Sequence, residues 1–262
     1  MQRKYNGLFY SSWKLDKIVF SAYNENELQR RRCEPLRYPD MRRAVFIARP
    51  NRFIAHVWLD NQMVVCHVKN TGRCRELLVP GCTVWVQHVP SPGRKTAYDL
   101  IAVQKGDRLI NMDAAAPNHV FGEYVREGRF LQPWEQVQPE KSHGDSRFDF
   151  YLQSGSRRVF VEVKGVTLEQ DGIVRFPDAP TQRGVKHLHG LAQCVREGYE
   201  AWAVFVIQMS SVRWMEPNRQ THPAFADALA QARTDGVHLL ALDCMATPDQ
   251  LTVRQPVEIR LV

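Results

Sequence analysis

Between Leu36 and Met112 the chain breaks into short β-rich runs, and this segmentation limits its fold most tightly. The runs "AVFIARP", "FIAHVWL", "MVVCHV", "CTVWVQHV" and "AYDLIAVQ" are separated by the turn signals "RPNR", "LDNQ", "KNTG", "VPGC" and "SPGR". Strands this short bury little surface singly, so they must pair with one another. "CRELLV", between the third and fourth runs, suits one or two helical turns. Five strands with one such interruption predict a small closed barrel of the OB type, with a generic β-sandwich as the alternative.

Beyond residue 112 the pattern changes. "AAPNHVFGEYVREGRF" is helical in composition and bridges to a second region. Two strands follow, "RFDFYLQ" and "RRVFVEVKGV", joined by the turn "SGSR". A helix over "TQRGVKHLHGLAQCVREG" has Thr181 as its cap and Val185, Leu188, Leu191, Ala192 and Val195 as its apolar stripe, and it ends near Gly198. "EAWAVFVIQM" reads as a buried central strand. A second amphipathic helix, "HPAFADALAQARTDG", and the strand "VHLLALD" complete a β-β-α-β-α-β order. That order predicts an α/β layer, a mixed sheet flanked by helices. The expectation is therefore a two-domain α+β chain, with a barrel over 36–112 and a mixed sheet over 113–262. Residues 1–35 show no sustained period and read as an unassigned N-terminal extension.

Charge is unevenly placed along this division. The barrel segment holds twelve Lys/Arg against five Asp/Glu, whereas residues 113–262 hold sixteen against nineteen. A basic module beside an acidic one suits contact with a polyanion by the first and acidic chemistry in the second. In the barrel, Arg49, Arg52, Lys69, Arg73 and Arg75 cluster around the first three strands, with Phe53 and Trp58 interleaved. Such a mixture suits nucleic acid, single-stranded DNA or RNA included. An aromatic ring on a strand is by default a core residue, so the arginines carry that expectation more than Phe53 or Trp58. No apolar run approaches ~18 residues, which argues against a transmembrane helix. Lys14, Asp16 and Lys17 interrupt the apolar residues near the N-terminus, unlike a secretory signal. The six cysteines contain no C-x-x-C pair, so reduced thiols are expected in a soluble cytoplasmic protein without a membrane anchor.

"VFVEVKGV" poses a problem of charge. In a strand, Val159, Val161 and Val163 face one way and Phe160, Glu162 and Lys164 the other. Burying Glu162 and Lys164 is costly unless something pairs with them. Asp149, thirteen residues earlier on the neighbouring strand, can converge on Glu162. Two convergent carboxylates suit Mg²⁺ or Mn²⁺, and Lys164 adds a cation for a phosphate held there. Phosphodiester hydrolysis needs those two components. Arg183 and Lys186 near the start of the following helix would receive the phosphate, and Glu140 is a third candidate carboxylate. An exposed hairpin with alternating charges would also explain E-x-K taken alone. His187 and His189, two apart on a helix, face different directions, so they do not share a metal. Each reads as a satisfied surface or core histidine.

Asp149, Glu162 and Lys164 resemble the D…E-x-K core of the PD-(D/E)-x-K nuclease superfamily. Longer blocks narrow the resemblance: "RPNRFIAHVWLD", "VVCHVKNTGRCRELLVPGCTVWV", "RKTAYDLIAVQKGDRLINMD", "SRFDFYL", "FVEVKGVTL" and "FPDAPTQRGVKHL". Together they resemble the sugar fermentation stimulation protein A family, from about Leu36 to near the C-terminus. The resemblance implies an OB-like domain joined to a restriction-endonuclease-like domain, DNA binding, and a role in regulating sugar (maltose) metabolism. It implies Asp149 and Glu162 as metal carboxylates and Lys164 as the catalytic lysine. Glu140 fits the acidic position upstream of "GDSRFD". Two functions follow as expectations: a DNA-binding protein with a metal-dependent nuclease site, or a non-catalytic DNA-binding regulator.

Overall fold

Alternation of apolar residues builds the first half of the structure, a computed structural model that describes residues 35–70 and 72–261. The predicted extension over 1–35, Cys33 included, lies outside the described residues except for Pro35. Ala44 and Phe46 on β1 (Met41–Asn51), Ala55, Val57 and Leu59 on β2 (Ile54–Leu59), and Cys66 and Val68 on β3 (Gln62–Val68) point into one core. Val84 and Val86 on β4 (Thr83–His88) and Leu100 and Val103 on β5 (Tyr98–Lys105) join them. β1 is long and irregular beyond Phe46, so its first half pairs with β4 and its second with β2. Such bulges let one strand bend and serve two sides of a barrel. Parallel pairing of β3 with β5 closes the cylinder. "CRELLV" forms one turn, in which Leu78 N–H bonds Cys74 O at 3.0 Å. A sixth strand, β6 (Arg108–Asn111), turns back on β5 where the sequence reading ended the barrel.

The second half is a six-stranded mixed sheet. β7 (Gln136–His143), β8 (Ser146–Ser154), β9 (Arg157–Val166), β12 (Glu200–Ile207), β14 (His238–Thr247) and β15 (Gln250–Val257) lie in the order β15-β14-β12-β9-β8-β7. β9, β12 and β14 are parallel and the remaining pairs antiparallel. β10 (Leu168–Gln170), β11 (Ile173–Phe176) and β13 (Trp214–Pro217) make a small side sheet. β7 and this side sheet were not apparent in the sequence, because their exposed or very short runs lack a clear period, and β15 was not predicted although Leu251 and Val253 alternate inward along it.

Helices cover both faces, which explains why β9 and β12 are apolar on both sides. Val159, Val161 and Val163 pack with Val120, Phe121 and Val125 of α1 (Ala116–Arg126). Phe160 lies in the opposite core, with Leu188 and Leu191 of α2 (Gln182–Arg196) and Phe225 and Leu229 of α3 (Pro223–Thr234). Thr181 caps α2 as its sequence suggests, accepting Gly184 N–H at 3.0 Å.

Buried polar contacts join the barrel to this sheet. Gln208 donates to Asn111 O and Asp113 O, both at 3.0 Å. Lys69 pairs with buried Asp113, and Lys105 and Arg108 pair with buried Glu169 at 2.7 and 3.1 Å. Part of the barrel's cationic surplus therefore neutralises carboxylates of the C-terminal half rather than facing solvent. The described cysteines are free, with no disulfide among the described residues, and burial pushes the Cys66, Cys74 and Cys194 thiols up to about 12. Among the described residues no helix is long and apolar enough to cross a membrane.

Candidate active site

The site lies where the β8–β9 ladder stops. Backbone pairing ends at Phe150↔Val161, while β9 stays paired with β12 through Val166↔Ile207. Val163 N–H, which a continuing ladder would have used, donates instead to Asp149 Oδ2 at 2.7 Å. Asn118, in the first turns of α1, donates to Asp149 Oδ1 at 2.8 Å. Asp149 thus replaces a backbone acceptor and holds two elements together. Burial, then the nearby charge of Glu162, push its carboxyl above the usual carboxylate range, and the Val163 and Asn118 bonds oppose that shift only in part.

Glu162 is 3% exposed. Burial alone would raise its pKa, but the hydrogen bond to His187 and the charge and hydrogen bond of Lys164 outweigh it, so the group lies below its ordinary value. Lys164 Nζ and His187 Nδ1 both bind Glu162 Oε1. Glu162 Oε2 is buried and has no hydrogen-bond partner. A buried anionic oxygen without a donor is costly, and a cation would satisfy it. Asp149 and Glu162 are hard oxygen donors, and Mg²⁺ suits two protein carboxylates with water and phosphate oxygens completing the shell. The residues present therefore fit a divalent cation.

Glu140 does not join this group. It is exposed, has a positive φ of 55°, and pairs with Arg147. Among the described residues no three His, Cys, Asp or Glu side chains form a ready metal cage, so the third carboxylate expected from the sequence is not supplied by Glu140 as placed. Arg183 is brought in: its Nε donates to His187 Nε2 at 3.3 Å. Lys186 stands exposed on the same helix. His187 is buried, as a satisfied histidine should be, but what satisfies it is the candidate catalytic carboxylate. Its i, i+4 spacing from Arg183 places both on one helix face and was the available signal. Asn118 carried none.

The barrel residues divide differently from the expectation. Arg49 is a structural clasp whose Nη atoms donate to the carbonyls of Arg52, Asn70, Gly72 and Arg73 at 2.7–2.9 Å. Lys69 is held by Asp113. Neither has a free grip for phosphate. Arg52, Arg73 and Arg75, with Arg49 and Asn51, line an open cleft of about 410 Å³. The aromatic rings reverse their default: Phe53 is 44% and Trp58 49% exposed, and Arg52 stacks on Phe53 at 4.7 Å. Trp58 lies between Val45 and Met63 in cross-strand register, both also exposed, so the outer face of β1–β3 carries an aromatic and aliphatic strip.

Comparison with known proteins follows the same division. A family model described as the SfsA N-terminal OB domain matches residues 47–112, and one described as the sugar fermentation stimulation protein RE domain matches residues 115–250. The sugar fermentation stimulation protein homolog of Desulfitobacterium hafniense (strain DSM 10664 / DCB-2) is 53% identical over 227 residues, covering 87% of this chain and 99% of the relative. The homolog of Clostridium beijerinckii is 49% identical over 226 residues, covering 86% and 100%. A solved structure of Pyrococcus furiosus SfsA in complex with Ca²⁺ shares the fold, with a TM-score of 0.77 at 24% identity over 87% of this chain and 100% of that one.

Proposed function

From the premise that the chain belongs to the sugar fermentation stimulation protein family, we propose a DNA-binding protein with a divalent-metal-dependent phosphodiesterase site. The observation that carries the proposal is Glu162: one oxygen takes two donors, and the other is buried without one, beside a second carboxylate. Asp149 and Glu162 would hold Mg²⁺ or Mn²⁺, and the archaeal relative solved with Ca²⁺ supports a cation of that hard class.

When bound, the cation supplies Lewis-acid polarisation of a phosphate and lowers the pKa of a nearby water. The chain's own residues supply position and charge. Asn118 and Val163 N–H fix the Asp149 carboxylate against rotation. Lys164, tethered to Glu162, places an ammonium beside the carboxylates, where it stabilises charge developing on a scissile phosphate. Arg52, Arg73 and Arg75 hold the nucleic-acid backbone at the barrel, and Phe53 and Trp58 offer stacking surfaces for unpaired bases. The connection to sugar metabolism would run through this DNA binding.

A second reading, a non-catalytic DNA-binding regulator, is favoured by one observation. Lys164 already offsets the Glu162 charge within the chain, and His187 adds a hydrogen bond to the same oxygen. Incubating purified protein with labelled single-stranded DNA, duplex DNA and RNA, with Mg²⁺, Mn²⁺ or EDTA, separates the two. Metal-dependent cleavage that Asp149→Asn and Glu162→Gln abolish, with DNA affinity retained, supports the nuclease. No turnover of any form with either metal leaves the regulator.

A further inference from the structure

His187 is held at both ends. Arg183 Nε–H can only donate, so His187 Nε2 accepts and carries no hydrogen. The ring proton is therefore on Nδ1, and it points at Glu162 Oε1; the Lys164 ammonium stands 3.4 Å from Nδ1 but lies closer to the same carboxylate oxygen, which accepts from both. Phe148 packs edge-on against the ring at 6.3 Å. The helix lies close enough for so short a side chain because of Gly190: a Cβ there would stand 2.8 Å from Ser146 Oγ and 3.1 Å from the Phe148 ring. The consequence falls on Glu162. Its two oxygens are made unequal, with Oε1 bound by Nδ1–H and the Lys164 ammonium and Oε2 buried without a donor.

We propose that His187 is a positioning residue for the cation: its Nδ1–H pins Glu162 Oε1 so that Oε2 is the oxygen presented to a divalent ion. It adds a donor without adding a charge that would repel the ion. Arg183 acts one step further out by fixing the tautomer. Partners that orient metal-binding side chains in this way typically change affinity by roughly 10–100-fold when removed. The inference rests on the metal reading of the preceding subsection.

The test is Mn²⁺ binding to the full chain, followed by calorimetry and by the spin-resonance signal of free Mn²⁺, with thermal unfolding in EDTA as a control for folding. Asn places its amide nitrogen where Nδ1 sits, whereas Gln carries it nearer to Nε2. His187→Asn should therefore retain most of the wild-type affinity, and His187→Gln and His187→Ala should lose roughly 10–100-fold. The Asn/Gln comparison serves if the Ala variant does not fold. Equal affinities for the Asn and Gln variants, or a folded Ala variant that binds as wild type does, overturn the positioning role and leave the metal site standing. Wild-type protein that binds no Mn²⁺ overturns the metal reading itself.

Discussion

Asp149 has a structural duty that any catalytic test must separate from its chemistry. Its Oδ2 is the acceptor for Val163 N–H at 2.7 Å, on a residue that is itself buried. Asp149→Ala strands that donor, which costs about 1–3 kcal/mol for a buried group left unpaired. Asp149→Asn keeps an acceptor oxygen there and removes the charge. Since burial and Glu162 raise the Asp149 pKa, the charged form is disfavoured in the fold, and its removal returns some stability near neutral pH. At ~2–4 °C per kcal/mol, the Asn variant should melt roughly 2–12 °C above the Ala variant in EDTA. The Asn variant should match or exceed wild type. Scanning calorimetry on the three proteins in metal-free buffer measures this directly. Coincident midpoints for Ala and wild type would mean that β8 closes onto β9 without the carboxylate, and the account of Asp149 as a substitute for the ladder would be wrong.

The buried clamp at Glu169 gives a pH signature. Burial alone would raise this carboxyl, but the Lys105 and Gly172 bonds and the charges of Lys105 and Arg108 outweigh it and lower it. Its contribution is therefore present above the unfolded value near ~4.3 and is lost as pH falls through the folded one. Glu169→Gln should cost about 3–5 kcal/mol at neutral pH and progressively less in acid, read from denaturant unfolding at a series of pH values. On the barrel, Trp58→Ala should weaken single-stranded DNA binding by about 1–3 kcal/mol with an unchanged melting temperature, measured by fluorescence anisotropy. Salt titrations distinguish the arginines. Arg75→Ala should lower the slope of log affinity against log salt by about 1, whereas Arg49→Ala should leave the slope and reduce stability.

What the sequence revealed depended on how locally each feature is encoded. The inward residues of β1–β5 alternate within single runs, so the barrel was legible before its closure was seen. Asp149, Glu162 and Lys164 stand out in the sequence because a carboxylate among valines conflicts with its surroundings, a conflict visible in "VFVEVKGV" itself, and the structure brings the three side chains near one another. Phe53 and Trp58 were misjudged because alternation marks two faces without saying which is outward. Arg49 and Lys69 were misread for a different reason. A cation's partner is set by tertiary contact, and apart from the nearby Arg52 carbonyl their partners, the carbonyls of Asn70, Gly72 and Arg73 and the Asp113 carboxylate, lie 21–44 residues away. His187 sat in a recognised helix, but its meaning required knowing that α2 crosses Glu162.

Gly165 marks where the candidate site and the barrel are packed together. A Cβ at this position would stand 2.7 Å from both Pro117 Cγ, at the start of α1, and Gln208 Oε1. Neither neighbour has room to yield freely: Pro117 is buried at the helix start, and Gln208 Nε2 bridges Asn111 and Asp113 at the end of the barrel. The residue after Lys164 must therefore be glycine for β9 to approach that joint. The same helix start carries Asn118, which binds Asp149, and the Asp113 it follows holds Lys69 of the barrel. Displacing the barrel would disturb the contacts that orient Asp149. Asp149, the carboxylate beside the awkward charges of "VFVEVKGV", is thus oriented from the helix start that also meets the basic domain. On the proposed function, a nucleic-acid strand held at the barrel would meet a site joined to it by packed side chains rather than by a flexible linker.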